Sequence, residues 1–225
     1  MLLAIISPPS ALGQTGQTQQ APQAIELADL PDPPAPIQAW IESGRVTFEQ
    51  GEREVSIQPV GGPRITAETR YRIVYSYNSR SRWKVEKGTR EIVITVRFAR
   101  IEWKPVHTIW FRNPPAAADF WTNKLVLHEF DHVRISSDPR LAVRFKQLLN
   151  DRNILKRTLS DDDVVNRDFV DQLVDRHVAE VFSEISDLIA IRYKELDRVT
   201  NHGLDLVPSD SPLNEWLRPD NEGSE

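Results

Sequence analysis

The sequence predicts an α+β domain in which an antiparallel β-sheet is followed by a helical half. Three observations predict it. Residues 45–112 carry short runs rich in β-branched and aromatic side chains. The composition changes at Asn113-Pro114-Pro115. Beyond that point apolar residues recur at spacings of three and four, as on one face of a helix. Strands first and helices second segregate the two kinds of element, unlike the alternation of a parallel α/β fold.

Residues 1–13 (MLLAIISPPSALG) hold a short apolar run, Leu2 to Ile6, and small residues Ala11 and Gly13 spaced as at a signal-peptidase site. They read as the remnant of a signal peptide, and so predict a secreted or cell-envelope protein. Residues 14–43 are rich in Gln and Pro and poor in large apolar groups, which predicts a disordered linker. The folded domain is predicted over residues 44–205, and the acidic stretch 206–225 as a loose tail.

Within the domain, Arg45–Phe48 and Glu54–Ile57 are short alternating runs, and residues 70–77 and 90–98 are longer ones. Asn78-Ser79 and Lys87-Gly88 suit turns. Residues 100–111 continue the strand pattern, but Pro105 has no N–H to give a ladder, so an edge strand or a break is expected there. Residues 119–135 suit a helix. Asp138-Pro139 reads as an N-cap followed by a first-turn proline, opening a second helix to about Asn150. Residues 164–198 form a long helix with Phe169, Leu173, His177, Val181, Ile185 and Leu188 along one face, stopped by Gly203.

Composition narrows the function. The chain has 225 residues, 40% hydrophobic and 27% charged, and no apolar run approaches the roughly 18 residues of a membrane span. An integral membrane segment is therefore not expected. With no cysteine, disulfides, thiolate metal sites and a Cys nucleophile are excluded. Met1 is the one methionine, which excludes the Met-turn of one large metalloprotease class. The net charge of −5 gives no overall footprint for nucleic acid. Residues 64–104 run against that balance, with eleven Lys/Arg and four Asp/Glu. Such a segment can meet an anionic partner, but it is also what the solvated face of a sheet looks like.

The chemistry lies in His128-Glu129-Phe130-Asp131-His132, an HExxH segment inside the first predicted helix. Residues four apart share a helix face, so both imidazoles can bind one metal ion, while Glu129 is turned about 100° away. Zinc so held acidifies a coordinated water toward a pKa of about 7, and a carboxylate can take its proton. Glu129 is thus the candidate general base and His128 and His132 the candidate zinc ligands, for hydrolysis of a peptide or protein substrate.

A catalytic zinc commonly takes three protein ligands. The candidates for the third are Asp138, six residues after His132 but also the predicted N-cap; His177, Glu180 and Glu184 along one stripe of the long helix; and His202 beside Gly203. Spacing alone leaves these open.

His128, Glu129 and His132 followed by Asp197, Thr200, His202 and Gly203 resemble a family of bacterial proteins described as predicted secreted zinc-dependent proteases. The resemblance covers roughly residues 70–205 and implies a zincin-like fold. It implies His202 as the third zinc ligand, and Asp197 as an acceptor that fixes an imidazole tautomer. Asp131 is a second candidate for that acceptor. Leu196 stands where an aromatic is expected before Asp197, with Tyr193 one turn away. Zincins commonly hold substrate along an edge strand, which makes residues 101–111 the candidate strand and His107 a candidate cleft residue. No phosphate-binding Gly-rich loop and no G-x-S-x-G elbow competes with this motif. Two other readings of the same residues are a non-catalytic envelope or extracellular binding module, and a zinc amidase acting on cell-wall peptides.

Overall fold

The computed structural model describes residues 22–52 and 65–217. The predicted signal remnant at 1–13, the start of the linker, the strand at Glu54–Ile57 and the last residues of the tail lie outside them. The elements run in the order β1 (Gln23–Ala24), α1 (Ala35–Glu42), β2 (Val46–Gln50), β3 (Ala67–Glu86), β4 (Glu91–Phe111), α2 (Lys124–Ser137), α3 (Pro139–Asp151), β5 (Ile154–Thr158), α4 (Arg167–Thr200) and α5 (Asn214–Leu217). One five-stranded sheet with helices after it makes the chain α+β, as predicted.

The sheet is mixed rather than wholly antiparallel. β2 pairs with β4 in parallel, from Val46 opposite His107 to Gln50 opposite Phe111, while β1 with β2 and β4 with β5 are antiparallel. A tight turn joins only antiparallel neighbours, and β2 and β4 are not consecutive. β3 intervenes in sequence, so the chain returns to β2 already reversed.

β4 also runs unbroken through Pro105. It pairs with β5 over 91–95 and with β2 over 107–111, and Pro105 falls between these two ladders. There the missing N–H costs neither ladder a bond. The stretch 107–111 is paired to β2 and is no edge strand.

The chain divides into two compact units. One comprises, of the described residues, Tyr75–Lys104 and Asp138–Ile191. Here Asp138 caps α3 as predicted, accepting from the Arg140 N–H at 2.8 Å with Pro139 in the first turn. α3 buries Leu141, Phe145, Leu148 and Leu149. The buried stripe of α4 in this unit is Val170, Val174, Val178, Val181, Ile185 and Ile189. Only Val181 and Ile185 belong to the predicted stripe. At its start the true stripe lies one residue further along, and Phe169, Leu173 and His177 flank it half-buried.

The other unit comprises 22–52, 65–74, Pro105–Ser137 and 192–217. Its core is aromatic. Phe48 of β2 meets Phe120 and Trp121 edge-on at 5.9 and 6.0 Å, and Val126, Phe130 and Val133 of α2 close the cluster. The linker expectation fails for 22–43. Ile37 is buried, Ile25, Leu30 and Trp40 pack on the core, and the Trp121 indole donates to the Pro31 carbonyl at 2.6 Å. Few apolar groups occur in this stretch, but Ile25, Leu30, Ile37, Trp40 and Ile41 meet the core, and Pro36 sits in the first turn of α1, where its missing N–H has no partner to lose. The tail is likewise ordered through 217. Leu213 is buried, α5 packs on α2, and the Arg192 guanidinium stacks on the Trp216 ring. Among the described residues no helix is long and apolar enough to cross a membrane.

Candidate metal centre

α2 starts later than predicted, after a turn of 3-10 helix at Ala117–Thr122. Asn123 marks the break, its side chain accepting from the Leu125 N–H at 2.9 Å. Val126, Phe130 and Val133 hold one side of the helix in the core, and the i, i+4 spacing brings His128 and His132 together on another. Both imidazoles are buried, their ring centroids 4.7 Å apart.

The last turn of α4 faces them. Asp197 Oδ1 lies 3.1 Å from Nε2 of His128 and 3.1 Å from Nε2 of His132, and the two Nε2 atoms are 3.2 Å apart. Burial works against the Asp197 charge, but the two imidazoles beside it outweigh that and hold the carboxyl well below the ordinary range. The group His128, His132 and Asp197 can hold a metal ion.

The hydrogen bonds behind His128 fit that role. The Thr200 hydroxyl donates to the Leu196 carbonyl at 2.7 Å, so its lone pairs face the Gly203 N–H at 3.2 Å and His128 Nδ1 at 3.3 Å. His128 Nδ1 therefore carries the proton of the neutral ring, leaving a lone pair on Nε2. That lone pair points into a cluster holding a carboxylate oxygen and a second imidazole nitrogen. Either a proton on His132 Nε2 or a cation among the three atoms reconciles such a set, and a cation is held by all three donors at once, which is the donor chemistry of a metal site.

Glu129 is buried beside the pair. Thr69 Oγ1 on β3 lies 2.6 Å from its Oε2. Burial raises the Glu129 pKa, and His132, Thr69 and His128 pull against the rise.

The remaining candidates lie elsewhere. His202 follows α4, is 72% exposed, and its Nδ1 is 3.8 Å from Asp197 Oδ1. Asn201, His202 and Gly203 all take positive φ, and this left-handed run turns His202 toward solvent. The converging donor is thus Asp197, and His202 is not in the group. Asp138 is engaged as the α3 cap and with Arg140. Glu184 pairs with Arg152, and Glu180 is exposed. Asp131 pairs with Arg134 rather than with an imidazole, and burial raises its pKa. His107 is among the residues that line an open surface pocket with Thr47, Arg70 and Tyr71. It is buried, its Nε2 2.7 Å from Ser136 Oγ and its Nδ1 3.3 Å from the Arg45 carbonyl, and burial lowers its pKa to about 4.

Sequence reasoning missed Thr69, Ser136 and the contact of Tyr193 with His132, whose rings lie 4.3 Å apart. Tyr193, Asp197 and Thr200 are spaced i, i+4, i+7, so a shared helix face was there to be read. Ser136 repeats the spacing of His128 and His132. Thr69 carries no such signal. Compared with protein-family models, curated proteins and solved structures, the chain matches none.

Proposed function

We propose that the chain is a zinc-dependent peptidase in which His128, His132 and Asp197 hold the metal and Glu129 moves the proton. The observation that supports it is the convergence of three donor atoms at 3.1–3.2 Å, with a buried carboxyl on the residue next to His128. Donors around a tetrahedral zinc with bonds of about 2.0–2.2 Å stand roughly 3.3–3.6 Å apart. The side chains are therefore nearly at that spacing, and two imidazoles with one carboxylate are a donor set that catalytic zinc accepts.

When bound, zinc supplies Lewis acidity that acidifies water and polarises a carbonyl. The residues of the chain supply the rest. Thr69 holds Oε2 of Glu129, so Oε1 is the atom assigned to take a proton from water and return it to the leaving amine. Thr200 keeps His128 in the tautomer that presents Nε2. Asp197 brings one negative charge, leaving net positive charge on a divalent site to stabilise a developing oxyanion. The third ligand in this reading is Asp197 and not His202, because the exposed His202 ring stands outside the donor cluster.

The test is hydrolysis of an unstructured protein such as casein by the purified chain, with chelator and after zinc is restored. Cleavage lost to chelator and recovered with zinc is the expected result. Cleavage indifferent to chelator overturns the reading, as does none at all from zinc-loaded protein.

A further inference from the structure

The two candidate ligands are held in different ways. His128 has a partner for its second nitrogen in Thr200. His132 Nδ1 is buried and, among the described residues, has no hydrogen-bond partner. A ligating histidine ordinarily donates from that nitrogen, which fixes the ring. His132 instead has the ring of Tyr193, centroid to centroid 4.3 Å and tilted by 58°.

Tyr193 is itself anchored on both sides. Tyr71 meets it edge-on at 5.5 Å. Its hydroxyl donates to Ser136 Oγ at 2.8 Å, and Ser136 Oγ lies 2.7 Å from His107 Nε2. The direction of this chain follows from its far end. The Arg45 carbonyl only accepts, so the neutral His107 carries its proton on Nδ1, 3.3 Å away. Nε2 must then accept from Ser136. Ser136 Oγ is also 3.0 Å from the His132 carbonyl, but it has one proton to give, and Nε2 has no other donor among the described residues. Ser136 in turn accepts from Tyr193. Every donor points the same way, and the Tyr193 ring has one seat.

We infer that Tyr193 is a positioning residue for His132: its ring, seated through Ser136 and His107, sets the imidazole orientation that a hydrogen bond sets for His128. The inference rests on the metal reading above.

The experiment is zinc affinity by chelator competition in the full chain, for wild type, Tyr193→Phe and Tyr193→Leu, with the His132 ring protons followed by NMR in the metal-free proteins. Tyr193→Phe keeps the ring but loses the hydroxyl that seats it on Ser136, and is expected to bind zinc about 3–10-fold more weakly than wild type, between wild type and Tyr193→Leu. Tyr193→Leu is expected to bind zinc about 10–100-fold more weakly, the cost of losing a group that orients a ligand. The His132 ring protons are expected to be shielded by the aromatic face in wild type and Tyr193→Phe, and not in Tyr193→Leu. Should Tyr193→Leu not fold, Tyr193→Met takes its place. A folded Leu or Met variant with wild-type zinc affinity overturns the inference, and so do His132 resonances that ignore the substitution. Wild type that binds no zinc overturns the metal reading itself, a failure distinct from the others.

Discussion

Gly203 lies directly against His128: a Cβ added at residue 203 would stand 2.9 Å from both Cβ and Cγ of the histidine. Its φ of +82° is also one that side chains rarely adopt. The backbone after α4 thus closes over the imidazole that Thr200 orients, and the glycine is required by the approach as well as by the turn. The stem of His128 is fixed to α2 and cannot yield as a flexible side-chain tip would.

Gly203→Ala is therefore expected to cost about 1–3 kcal/mol of stability, from strain and displaced contact together. It is also expected to weaken zinc binding, because His128 must shift. Urea unfolding of the metal-free protein and chelator competition check the two effects separately.

Asp197 and His202 give opposite expectations. Asp197→Asn keeps the shape but removes the charge beside two imidazoles, and zinc affinity should fall at least about tenfold. His202→Ala removes an exposed ring outside the donor cluster and should leave affinity within about threefold. Isothermal titration of both variants decides which residue completes the site.

The buried His107 makes stability depend on pH. Desolvation lowers its pKa to about 4, against an ordinary 6.5, with the Arg45 charge pushing the same way and the hydrogen bond to the Arg45 carbonyl opposing. Between these values the unfolded chain holds a proton that the folded chain does not, so stability rises with pH. The contribution is complete above 6.5 and is lost as pH falls from 6.5 to 4, roughly 3 kcal/mol in all. His107→Gln should flatten the pH dependence of the urea midpoint across that window, and an unchanged slope would contradict the burial argument.

Local signals were legible where local physics decides. The Asp138-Pro139 cap, the i, i+4 histidines on a helix and the end of the long helix near Gly203 all follow from neighbours within a turn. Features set by distant segments were not. Nothing near Pro105 says that β2 and β5 pair with β4 on either side of it, and the Pro-rich stretch before β2 reads as linker until the core it covers is in place. The third donor is the clearest case. Asp197 is the carboxylate of α4 that reaches the histidines, and His202 falls in three residues of left-handed backbone that turn it away. Spacing from His132 cannot distinguish the two, but the side of the helix end can.

The most direct measurement pairs bound zinc with peptide hydrolysis in wild type and Glu129→Gln. The account predicts about one zinc per chain in both proteins, with turnover falling at least about a hundredfold in the variant, the usual scale for removing a proton-transfer group. A zinc-loaded Glu129→Gln that cleaves peptide at the wild-type rate, or a wild-type chain that takes up no zinc, would contradict it.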